Sequence, residues 1–119
     1  MTPNETGGSG RGVPARRWEM TSQEQDMMSR FRRDFLDLLD GRVAKIEKLV
    51  LNAQLEPAHV ALLSLESSST MIGRVELAAA VRQLRSVLTQ AGPDELDALL
   101  AEVLRHAQAA RKQLETSEA

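Results

Sequence analysis

The chain has 119 residues and a mass of 13.1 kDa, which is room for one domain around one core. At 42% hydrophobic and 27% charged, its composition is that of a soluble globular protein, and a net charge of −2 argues against a nucleic-acid binder that works by neutralising phosphates. There is no cysteine, and His59 and His106 are the only histidines, so disulfides, thiolate chemistry, cysteine zinc sites and a histidine-rich metal cage are excluded. Neither a metal nor a cofactor is expected, and a small cytoplasmic interaction module is favoured over an enzyme.

No apolar run approaches the roughly 20 residues of a membrane span, and the N-terminus lacks the apolar centre of a secretory signal. Residues 1–19 hold four of the seven glycines and two of the four prolines. Such a stretch has little to bury against the entropy of ordering it, so it reads as a flexible tail closed by Arg16-Arg17-Trp18. Residues 20–119 are then the folded domain.

Four helical segments follow. Thr21 with Glu24 makes a capping box, and apolar residues recur at Met28, Phe31, Phe35, Leu38, Leu39, Val43, Ile46, Leu49 and Val50. This spacing predicts a helix from about Ser22 to about Asn52, with Gly41 in its middle as the place for a kink or a division in two. Glu56-Pro57 opens a second helix that ends at Gly73, proline being tolerated in a first turn and glycine favoured as a cap. Leu77, Val81, Leu84 and Leu88 predict a third from about Val75 to Gln90. Gly92-Pro93-Asp94-Glu95 reads as a stop and then a start. The last helix carries Leu96, Leu99, Leu100, Val103, Ala107, Ala110 and Leu114 on one side, with Arg111 and Lys112 near its negative end. No run alternates with period two and the links are short, so the expected fold is all-α, an antiparallel up-down four-helix bundle.

The second helix carries the functional signal. Ala58, Ala61, Leu62, Leu65, Ser69 and Ile72 form its core face, with Ser68 near the helix boundary. Leu63 projects about 140° from the centre of that stripe, on the side of His59, Glu66, Ser67 and Thr70. A leucine one turn from a histidine on an otherwise polar face is a candidate contact point; the plain alternative is an isolated exposed leucine. His106, beside Arg105 at the edge of the last helix's stripe, reads as a cover over the core.

The stretch Leu63-Ser64-Leu65-Glu66-Ser67-Ser68-Ser69-Thr70-Met71-Ile72-Gly73, followed by Leu77, resembles the signature of histidine phosphotransfer (HPt) domains. The family pattern is His-x-Leu-Lys-Gly-Ser-(Ser/Ala)-x-x-(Leu/Ile)-Gly. Leu65, Ser68, Ile72 and Gly73 match it, and the resemblance covers about residues 27–115. It implies a four-helix bundle of a two-component phosphorelay. Three positions depart from the pattern: Leu63 stands at the phospho-accepting histidine, Glu66 at the lysine and Ser67 at the glycine. Leucine has no nitrogen nucleophile, and a carboxylate in place of a cation repels an incoming phosphoryl group.

The resemblance therefore implies a non-catalytic adaptor or inhibitor, with no catalytic residue. It would bind a response-regulator receiver domain or a histidine kinase through His59, Leu63, Glu66, Ser67 and Thr70. Between Gln54 and Ala80 the only cation is Arg74, against Glu56, Glu66 and Glu76, so this face is expected to be mildly acidic and to attract neither nucleic acid nor an anionic membrane. Two alternatives stand beside this reading. One is active phosphotransfer through His59, one turn before Leu63. The other is a structural homo-oligomer in which Leu63 pairs with itself. The Ala-, Arg- and Leu-rich composition is compatible with a bacterial source.

Overall fold

The computed structural model describes residues 21–118, and the tail expected over residues 1–19 lies outside them. The described residues form four helices and no strand: α1 (Ser22–Leu51), α2 (Leu55–Met71), α3 (Val75–Val87) and α4 (Pro93–Glu118). No helix among them is long and apolar enough to cross a membrane. The described residues divide into two compact units, with the boundary between Arg30 and Phe31.

In the first unit α1 starts on the predicted capping box. The Glu24 amide donates to Thr21 Oγ1 at 3.1 Å, and Glu24 Oε1 accepts from the Thr21 amide at 2.8 Å, which satisfies two donors that a helix start leaves unpaired.

In the second unit α1 buries Phe35, Leu39, Val43, Ile46 and Val50. Two expectations for this helix are corrected. The helix runs through Gly41 undivided. Glycine there costs only about 1 kcal/mol of helix propensity, less than the packing of the stripe on either side of it. Leu38 is exposed instead of buried, because it lies about 100° from the centre of that stripe.

The α1–α2 and α2–α3 links are short and close in the same way. After α1 the Gln54 amide donates to the Leu49 carbonyl and the Ala53 amide to the Val50 carbonyl, with Ala53 at φ +56°. After α2 the Arg74 amide donates to Ser69 and the Gly73 amide to Thr70, with Gly73 at φ +78°. Both are Schellman closures, which satisfy the last carbonyls by turning one residue left-handed. Gly73 fills that position as predicted.

The helix α3 stops at Val87, three residues before the predicted Gln90. Leu88 and Gln90 donate to the carbonyls three residues back (Arg85 and Val87), so the chain tightens into a turn while Leu88 stays buried. Pro93 is the first residue of α4, with Asp94 and Glu95 in its first turn. All four helices contribute to one apolar cluster, which includes Leu39, Leu62, Leu65, Leu84, Val103 and Leu114, with Leu96 and Leu99 only partly buried at its edge.

Candidate functional site: the outward face of α2

The inner side of α2 is fully committed to the core. Ala58, Leu62, Leu65 and Ser69 are all buried, and the Ser69 hydroxyl donates to the Leu65 carbonyl at 2.7 Å, so no polar atom there is left unpaired. One residue beyond Leu62, Leu63 is 45% exposed. It has company: Val60 is 66% and Met71 64% exposed. At about 100° per residue, Val60, Leu63, Ser67 and Met71 fall within about 80° of one another, on the side opposite the core. The outward face therefore carries three exposed apolar side chains, not a single leucine, set among the exposed polar residues Glu56, Ser64, Ser67 and Thr70. Sequence reasoning passed over Val60 and Met71 because it weighed Leu63 against only its polar neighbours.

Helix α1 flanks this face on one side. Arg42 donates from Nη2 to Ser64 Oγ at 2.7 Å and from Nη1 to Ser68 Oγ at 3.3 Å. Partial burial lowers the guanidinium's pKa from its ordinary value, and it remains a cation. With Lys45, Pro57, Val60, Ala61 and Ser64, Arg42 lines a groove of about 470 Å³ between α1 and α2.

On the other side Glu66 is tied to α3. Its side chain is 15% exposed; Oε1 accepts from Arg85 Nη2 at 2.7 Å and Nε at 3.0 Å, and Oε2 from Arg82 Nε at 3.0 Å. Burial is the largest single influence on this carboxyl and raises its pKa, but the hydrogen bonds and charges of Arg85 and Arg82 together outweigh it, and the net shift is downward.

The expected charge of the face is thereby corrected. Glu66 is not a bare negative charge, since two guanidinium groups reach its one carboxylate. Counting only residues 54–80 omitted cations that α1 and α3 bring in from outside that stretch. Arg42, Lys45, Arg82 and Arg85 flank the face beside Glu66 and Glu56, a formal excess of two positive charges among these six side chains.

The remaining expected site residues divide. His59 is exposed, one turn before Leu63, beside a depression of about 340 Å³ that Arg85, Leu88 and Thr89 also line. Ser67 is exposed, while Thr70 donates its hydroxyl to the Glu66 carbonyl at 2.9 Å. His106 lies on α4 at the core's edge, its side chain 23% exposed and Nε2 3.6 Å from Glu102. Among the described residues no group of three His, Asp or Glu side chains is placed to hold a metal ion.

Chemically, the arrangement presents three apolar side chains, Val60, Leu63 and Met71, among polar ones, with the cations of α1 on one side and those of α3 on the other. No protein-family model, curated protein or solved structure matches the chain.

Proposed function

We propose that the chain is a non-catalytic, HPt-like adaptor or inhibitor that binds a two-component signalling partner, a receiver domain or a histidine kinase, through the outward face of α2. On this reading the helices form an antiparallel up-down bundle, and the protein works in a bacterial cytoplasm. The observation that carries it is Leu63: a leucine 45% exposed at the position where the resemblance calls for an imidazole. Val60 and Met71 widen the apolar area around it. Arg82 and Arg85 supply, from α3, cations near the place where the family pattern has lysine.

The mechanism is binding without transfer. A partner that buries Leu63 gains roughly 1.5–3 kcal/mol, about tenfold to a hundredfold in affinity. No nitrogen at that position can accept a phosphoryl group, so the partner is held and nothing is passed on. Occupying the surface that a competent relay protein would use makes the chain an inhibitor by competition.

The test is titration calorimetry of the full chain and of Leu63→Asp against purified receiver domains and kinase dimerisation fragments from the same organism. A loss of at least tenfold in affinity with unchanged helical circular dichroism is expected. Equal affinity of the two proteins for a bound partner rejects the role of Leu63. Acid-labile phosphate on the wild type after incubation with a phosphorylated receiver, absent in His59→Ala, would replace this reading with transfer through His59.

A further inference from the structure

We infer that the groove between α1 and α2 seats an acidic, apolar segment of a protein partner, its carboxylate held by Arg42 and Lys45. This rests on the adaptor reading and names the partner's chemistry beside the same face. The groove holds about 470 Å³; Pro57, Val60 and Ala61 give it an apolar lining, and Arg42, Lys45 and Ser64 supply its polar groups. Val60 belongs both to this lining and to the exposed stripe through Leu63, so the two surfaces are continuous.

The state of the two cations points to the ligand. Arg82 and Arg85 share Glu66, Arg105 faces Glu102, and Arg111 reaches Asp40 and Glu115. Arg42 and Lys45 pair with no carboxylate among the described residues. Arg42 spends two of its nitrogens on neutral serine hydroxyls. A carboxylate entering the groove would give the Arg42 guanidinium an ionised, planar acceptor in place of uncharged hydroxyls, and so an ion pair that the two serines cannot supply. Lys45 is exposed and adds a second positive charge to the same groove.

Other occupants fit less well. A second copy docking groove to groove about a two-fold axis would bring both copies of Arg42 and Lys45 into one interface whose lining holds no carboxylate. The chain's own first twenty residues carry Arg11, Arg16 and Arg17 against Glu5 and Glu19, so they bring the wrong sign. Nucleic acid needs a track of cations, and this groove offers two beside apolar side chains.

The experiment uses the full chain labelled with nitrogen-15 and two synthetic helical peptides of equal length with the same leucines, one flanked by glutamates and the other by lysines. The glutamate peptide is expected to shift the amides of Val60, Ala61 and Ser64 and the side-chain Nε of Arg42, and to bind at least tenfold more tightly than the lysine peptide. Lys45→Glu, an exposed change that leaves the Arg42–serine bonds in place, is expected to weaken the glutamate peptide several-fold, and Arg42→Glu with Lys45→Glu to abolish its binding. Equal binding of the two peptides, no binding of either, or shifts confined to another surface overturns the inference. So does a sedimentation mass that rises with concentration and falls back to monomer in Lys45→Glu, which would make a second copy the occupant. If a purified receiver or kinase loses affinity in Leu63→Asp but not in Lys45→Glu, the groove inference fails and the adaptor reading survives. If no such protein binds while the glutamate peptide seats in the groove, the adaptor reading fails and the groove stands.

Discussion

Arg85 donates twice to one oxygen of Glu66, from Nε at 3.0 Å and Nη2 at 2.7 Å, so α3 is fastened to α2 through a carboxylate that Arg82 also reaches. Both partners of the Arg85 contact are mostly shielded from water, with side chains 23% and 15% exposed. Arg82 is 58% exposed and contributes less, since solvent screens it. Replacing Glu66 by Gln leaves two guanidinium groups facing a neutral amide. The expected loss is about 1–2 kcal/mol at pH 7. For a domain of this size that lowers the melting temperature by roughly 4–8 °C for each kcal/mol, which a thermal melt followed by circular dichroism will show.

The same pair sets a pH dependence whose sign is fixed. The folded-state pKa of Glu66 lies below its ordinary 4.5, so the pair's contribution is fully present above that value and is lost as pH falls through the lower folded one. Urea unfolding of wild type and Glu66→Gln at pH 7, 5 and 3 will measure it. The stability gap between the two proteins should be wide at pH 7 and should shrink at pH 3; a gap that is constant across the series would show that the carboxylate's charge is not what fastens α2 to α3.

Adjacent leucines on α2 should respond oppositely. Leu62 is fully buried, and Leu62→Ala should cost about 2–5 kcal/mol through lost contacts and the cavity left behind. Leu63→Ala, on the outward face, should stay within about 0.5 kcal/mol of wild type. Denaturant midpoints of the two variants decide the assignment of faces, and a destabilised Leu63→Ala would mean that this side chain packs in the core.

Two glycines give a matched pair of changes with opposite sign. A Cβ at either Gly41 or Gly73 would meet nothing within 4 Å, so sterics do not separate them. Gly41 lies in a helix interior, where alanine should gain about 0.5–1 kcal/mol. Gly73 sits at φ +78°, where alanine should lose about 1–2 kcal/mol. Thermal melts should move up for the first and down for the second.

Much of the fold is legible from periodicity, because burial on a helix repeats every three or four residues. The stripe Phe35, Leu39, Val43, Ile46 and Val50 lies inward as its spacing predicts, and Leu63 lies outward as its angle predicts. Leu38 lies outside that stripe although steps of three and four admit it, and the helix continues through Gly41 because the packing on either side outweighs the propensity cost. The electrostatics of α2 were not legible. The cations that neutralise Glu66 lie 16 and 19 residues away on another helix, and Arg42 reaches Ser64 from 22 residues upstream. A count along one stretch of chain has no access to such neighbours. Only packing brings them together.

Along α2, the residues that hold the interior and those that face solvent are disjoint sets. Changing Val60, Leu63, Ser67 or Met71 alters what the helix offers to a neighbour and leaves Leu62 and Leu65 untouched. Recognition can therefore drift one side chain at a time without loss of foldability, and duplicated copies of this chain should diverge first along that line while their interiors stay alike.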